Sequence, residues 1–325
     1  MSFFRTEMFN GISLPKHQEL WKFWVFIGFI ILCFFPFVSP PIALGLGVII
    51  SAIKIVPAGF NTSRIATHLL KISIVLMGFG INISQAIQTS KSGFVISAVF
   101  IGITISLGLI LGYVLKVDKV ISILVTIGTA ICGGSAIAAV SPILGAKERQ
   151  LSFGLGVVFL LNAVALILFP LLGTWFDLSQ TQFGYWAAIA IHDTSSVVGA
   201  SAAYGEEALR IATTVKLIRA LWIIPVSIAV ALIFGSKKVN KVRIPWFIAL
   251  FIVAMSVSYF VPSGGNIFGV LDGLGKKGMV ITLFLIGTGL PLSEVKEIGI
   301  KPFILGVILW IIVSVLSLIT VIELF

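Results

Sequence analysis

Five consecutive polar residues, His192-Asp193-Thr194-Ser195-Ser196, interrupt a long apolar run. A carboxylate, an imidazole and three hydroxyls at this spacing can exchange a proton or small cation and hydrogen-bond an oxyanion. A helix restarting after Asp193 would add backbone N–H donors. Ionisable groups inside a bilayer are costly and mark functional positions. The local alternative is that Asp193 or Ser195 is only an N-cap, with Asp193 paired to Arg219.

A second stretch is Thr129-Ala-Ile-Cys-Gly-Gly-Ser-Ala-Ile-Ala-Ala-Val-Ser-Pro142. Gly133-Gly134 weakens a helix and Ser135 can cap its restart, so freed amides would form a positive half-helix end suited to an anion. Simple packing of small residues is the alternative. Lys216 and Arg219 lie three apart, on one helix face. Arg219 would offer its planar fork to carboxylate, sulfonate or sulfate oxygens, unless both cations snorkel to an interface. Asn162 interrupts another apolar run, as a site residue or as interhelical glue. Gly287-Thr-Gly-Leu-Pro291 is a further candidate break. The candidate substrate-binding set is therefore Gly133, Gly134, Ser135, Asn162, Thr194, Ser195, Ser196, Lys216 and Arg219, with His192 and Asp193 as ion-coupling residues. No catalytic residue, metal ligand or resident cofactor is expected, beyond a bound proton or sodium.

The elements that must position these groups follow from composition. Of 325 residues, 58% are hydrophobic and only 10% charged, and mean hydropathy is +1.16. A soluble domain is nearer about 25% charged. Apolar runs of about twenty residues favour helices over barrel strands. The expected fold is an all-α polytopic membrane protein with eleven spans: 23–39, 41–57, 65–87, 93–115, 120–144, 151–176, 183–204, 209–235, 245–261, 277–293 and 303–323. Residues 1–22 are expected to be a cytoplasmic segment and 23–325 one transmembrane domain. Phe34-Phe-Pro-Phe37 offers no signal-peptide cleavage site, so the first run is a retained helix. Cys33 and Cys132 show no disulfide or metal spacing.

With the N-terminus inside and loops alternating, the cytoplasmic side carries 12 loop cations and the outer side 6, among them Lys147 and Arg149. This favours a cytoplasmic N-terminus and an outer C-terminus. Away from the span ends lie four cations (Lys54, Lys71, Lys216, Arg219) and one acid, Asp193, an imbalance that suits a carrier of anions. An intramembrane hydrolase is disfavoured, because His192, Asp193 and Ser195 are helix neighbours that do not face one another. A channel would need no coupling acid, and an ion-coupled carrier of a carboxylate or other organic solute stays open. Ala130-Ile-Cys-Gly-Gly-Ser135 echoes Ala190-Ile-His-Asp-Thr-Ser195, and each leads to a charged turn and a long span with a late proline, Pro170 or Pro225. Such echoes are typical of transporters built from inverted halves.

Four segments together resemble the YeiH-type family of bacterial membrane proteins, to which sulfate export is ascribed. They are Leu76–Gly80, Thr129–Ala139, Ala190–Ala200 and Lys216–Trp222, and the resemblance runs from about Pro41 to Leu324. It implies an inner-membrane secondary carrier that works as a homodimer, with sulfate or an organosulfonate as the leading substrate. It also implies a fold related to cation/proton antiporters and bile-acid symporters, with panel and core domains and two unwound helices crossing near the midplane. The chain departs from the family pattern at Gly134, where alanine is expected, and at Gly80, where arginine is expected.

Overall fold

The computed structural model of the chain describes residues 20–35, 37–57, 61–81, 83–234, 246–261, 264–289 and 300–325. Most of the expected N-terminal segment, the cation-rich loop at 237–243 and Pro291 lie outside the described residues. The described elements are helical. In chain order they are α1 (Leu20–Leu32), α2 (Pro40–Ala52), α3 (Thr62–Met77, continued by a 3-10 turn at Gly78–Gly80), α4 (Ile83–Val114), α5 (Lys119–Ala130), α6 (Gly134–Val140), α7 (Glu148–Trp175), α8 (Gln180–Ala190), α9 (Thr194–Tyr204), α10 (Glu206–Leu221), α11 (Ile223–Ile233), α12 (Trp246–Phe260), α13 (Gly265–Thr288) and α14 (Ile300–Leu324).

Contacts divide the chain into two units, residues 1–83 with 246–290 and residues 84–245 with 291–325. In the first unit α13 packs along α2 and α3. Gly47 and Gly287 let α2 and α13 touch backbone to backbone, since a Cβ on Gly287 would lie 2.5 Å from the Leu44 carbonyl oxygen. Small residues serve this purpose at membrane-helix interfaces. α13 begins at Gly265, ahead of the apolar run expected from 277, and so takes in Asp272 and Lys276. Asp272 pairs with Lys276 at 3.0 Å, one turn on. Its carboxylate lies directly against Gly80, where any side chain would collide. The position expected to be basic is thus glycine against an acid that takes its cation from its own helix.

Among the described residues, four helices are long and apolar enough to cross a membrane by length and composition, and all lie in the second unit: α4 from Lys91, α7, α10 with α11, and α14. Among them sit two helical hairpins, where the sequence pattern suggested single spans at 120–144 and 183–204. In the first, α5 runs to Ala130, the chain turns at 131–133, and α6 returns. Ile137 packs back against Leu124 and Val158, with Val120 and Leu144 in the same cluster. In the second, α8 runs to Ala190 and α9 returns, so that Tyr204 stacks on Phe183 with ring centroids 3.9 Å apart. The Tyr204 hydroxyl also donates to the Leu178 carbonyl, beside the start of the hairpin.

Glutamines close both bases. Gln150 Nε2 donates to Asp118, the cap of α5, at 2.8 Å. Gln180 Oε1 accepts from Glu207 and Ala208, the first turn of α10, at 3.0 and 3.3 Å. α7 joins the two bases. Its N-terminal Gln150 meets the first, while a Cβ on Gly173 near its C-terminus would lie 2.5 Å from Phe183 at the second. The hairpins therefore enter from opposite ends of α7. A single span would have placed residues 118 and 150 at opposite ends, so this contact is what the linear pattern could not supply.

Candidate functional site

Inside the second unit the two hairpin tips meet. A Cβ on Gly133 would lie 3.6 Å from both Cα and Cβ of Asp193. The tips match residue by residue. Ala130 and Ala190 end the outgoing arms, Gly133 and Asp193 are the N-caps of the returning arms, and Gly134 and Thr194 are their first residues. The echo noted in the sequence is thus a spatial equivalence.

Lys216 and Arg219, on α10, close the two outgoing arms. Lys216 Nζ donates to the carbonyls of Ile131, Ala188 and Ile191 at 3.2, 3.3 and 2.7 Å. Arg219 donates from Nε and Nη2 to the Ala130 carbonyl at 2.9 and 2.6 Å, and from Nη1 to the Ile189 carbonyl at 2.9 Å. The last carbonyls of a helix have no partner in their own helix and carry roughly half a negative charge. Each cation reaches the ends of both arms, so the pair ties the tips together electrostatically. Both are wholly buried, and an ammonium or guanidinium survives burial only when its donors are satisfied in this way. Arg219 spends these three bonds on backbone rather than on Asp193.

Asp193 instead caps α9, accepting from the Ser195 and Ser196 amides at 2.9 and 3.4 Å. Asn162, midway along α7, latches the same turn, its Oδ1 accepting from the His192 and Asp193 amides at 3.1 Å each. This backbone role for Asn162 is not legible from its sequence neighbours. At the other tip Gly133 supplies conformation rather than a side chain. Its φ of 63° and ψ of −126° suit glycine. Ser135 forms no cap there, because the helix restarts at Gly134.

The tip groups form two layers. Ser135 is exposed, and Gly134, Asp193, Thr194 and Ser195 are half-buried. Behind them Ser196, His192, Asn162, Lys216 and Arg219 are buried. Neither ring nitrogen of His192 has a hydrogen-bond partner, nor does Asn162 Nδ2 or the Thr129 hydroxyl at the end of α5. A buried polar group without a partner costs about 1–3 kcal/mol, and such groups occur away from the tips as well, Ser201 and Ser227 among them. The arrangement offers hydroxyls and amides on the accessible layer, one carboxylate among them, and fixed positive charge behind.

The model of the family described as Conserved hypothetical protein 698 matches residues 31–306. The chain is 46% identical over 296 residues to a UPF0324 membrane protein of Shewanella oneidensis, covering 90% of this chain and 93% of that protein. It is 46% identical over 283 residues to a UPF0324 membrane protein of Bacteroides thetaiotaomicron, covering 86% of each. It is 44% identical over 314 residues to UPF0324 membrane protein PBPRB0970 of Photobacterium profundum, covering 96% and 94%. No solved structure matches.

Proposed function

This chain belongs to the conserved hypothetical protein 698 family of membrane proteins, and we propose that it is a secondary transporter of a small anion working by alternating access. The observation that carries this reading is the meeting of two hairpin tips over a buried cation pair. Arms of 12 and 11 residues measure about 18 and 16 Å, and half of a bilayer core is about 15 Å. Hairpins entering from opposite ends thus bring their tips to the midplane, where transporters keep their substrate sites. On this reading residues 120–144 and 183–204 enter and leave on one side, and the two hairpin-plus-helix segments form an inverted pair. Lys147 and Arg149 then join Lys116 and Lys119 on the cytoplasmic side, and the division of loop cations moves from 12 and 6 to 14 and 4. That strengthens the cytoplasmic N-terminus and outer C-terminus.

The charge at the tips favours an anion. The half-charges of two helix C-termini and two N-termini cancel, leaving Asp193 against Lys216 and Arg219, a net of about +1. Gly133, Gly134 and Ser135 on one tip and Thr194, Ser195 and Ser196 on the other supply amides and hydroxyls, and Asn162 supplies its free Nδ2. Lys216 and Arg219 act by charge from behind the tips. Asp193, with His192 beside it, carries the coupling proton or sodium. Sulfate or an organosulfonate is the leading substrate, a carboxylate the alternative, and the protein acts in the bacterial inner membrane as a homodimer.

The test is labelled sulfate flux into proteoliposomes with and without a pH or sodium gradient, beside Asp193→Asn. Gradient-driven flux lost in the variant supports the assignment. Unchanged coupled flux in that variant removes Asp193 from the coupling role, and competition by carboxylates in place of sulfonates would move the substrate to the alternative class.

A further inference from the structure

Away from the tips, the second unit contains a cavity of about 650 Å³ lined by the end of α4, the outgoing arm α5 and α11. Its walls include Ile105, Leu109, Ile127, Val226, Ala229 and Ile233, with Lys119, Tyr113 and Phe234 at one end. Along α5 it extends from Lys119 to Ile127, about 12 Å at the helix rise. That is close to the roughly 15 Å of hydrocarbon in one leaflet.

The end of this groove has the character of a headgroup region. Tyr113 is 87% exposed, and tyrosines favour the membrane–water interface. Lys119 Nζ sits 5.2 Å from the centroid of the Phe234 ring, which holds the ammonium over the mouth. Lys116 lies three residues before it, in the tight turn between α4 and α5. The nearby acid is Asp118, whose Oδ1 accepts from the neutral Val120 and Ile121 amides and from Gln150 and keeps its charge, so two lysines stand against one carboxylate. The mouth is therefore basic and the interior apolar.

We propose that this groove holds one acyl chain of an anionic phospholipid, with Lys119 and Lys116 binding its phosphate. Charge complementarity selects the headgroup, since basic pockets between membrane helices attract anionic lipids. The depth of the apolar part selects a tail. The occupant rests on α5, the outgoing arm of the first hairpin, so lipid binding would steady that arm independently of which substrate the tips carry.

The full chain, purified in mild detergent from bacterial membranes, is analysed for retained lipid by headgroup. Anionic phospholipid should be enriched over its share of the source membrane. Removing either lysine, by Lys116→Ala or Lys119→Ala, should lower that enrichment roughly five-fold. Ala229→Trp, which fills the groove, should abolish it. The lysine variants alter exposed side chains, so they decide the matter even where the tryptophan variant fails to fold. Retained lipid with the headgroup composition of the membrane overturns the proposal, as does undiminished enrichment in the lysine variants. Conversion of a dimer to a monomer by Ala229→Trp, with lipid content unchanged, would assign the groove to a second copy.

Discussion

The two hairpins have the same backbone plan and opposite tip chemistry. The first turns on glycine, with positive φ at Gly133 and no side-chain cap on the returning arm. The second turns on Asp193, whose carboxylate caps the returning arm, and is latched from α7 by Asn162. Their outgoing arms share the same two cations. On the proposed function, the difference separates two tasks that a transporter must combine. The glycine tip leaves its amides without a side-chain partner from the cap residue, whereas the aspartate tip carries its own anion, the group to which the proposed function gives ion coupling.

Removing what the hairpins share should have the largest effect. Lys216→Ala strands three buried carbonyls, at about 1–3 kcal/mol each, so a loss of about 3 kcal/mol or more is expected in thermal stability followed by size-exclusion chromatography. Arg219→Lys keeps the charge but cannot reach both arms with a fork, and should fall between wild type and Arg219→Ala. Equal stability of Arg219→Ala and wild type would mean that the tips hold together without the cation.

Next come the two turns. Gly133→Ala would press its Cβ to 3.2 Å from Val158 Cγ1, so that side chain must give slightly, and the positive φ adds a conformational cost, about 1–3 kcal/mol. Asn162→Ala removes the acceptor from two amides and should cost about 1–3 kcal/mol, while Asn162→Asp, which keeps an acceptor, should recover part of it. A neutral Asn162→Ala would remove the latch from the account.

The smallest stability effect belongs to Asp193→Asn. The amide oxygen can still cap α9, so the loss should be about 0.5 kcal/mol, yet ion-coupled flux should disappear. A large stability loss with retained coupling would reverse the roles given to the two tips.

Much of this was readable in advance. The weak helix at Gly133-Gly134, the polar run at His192–Ser196 and the echo between them located both tips, because glycine pairs and capping residues act locally. The grouping of Lys216 and Arg219 on one face was equally plain from their spacing. Their partners were not, because a carbonyl has no sequence signature: the donors that suggested an anion site meet helix ends instead. Asp272 likewise falls between the expected spans 245–261 and 277–293, because charged residues shorten the apolar run at the start of α13.

Composition alone determined that the chain is helical and built for a bilayer, since so few charges cannot clothe a soluble surface. Tertiary structure decided that two of the apolar runs fold back on themselves. A run of apolar residues with a break in the middle has the same hydropathy whether it continues or returns. Only long-range contacts, Gln150 with Asp118 and Tyr204 with Phe183, distinguish the two paths.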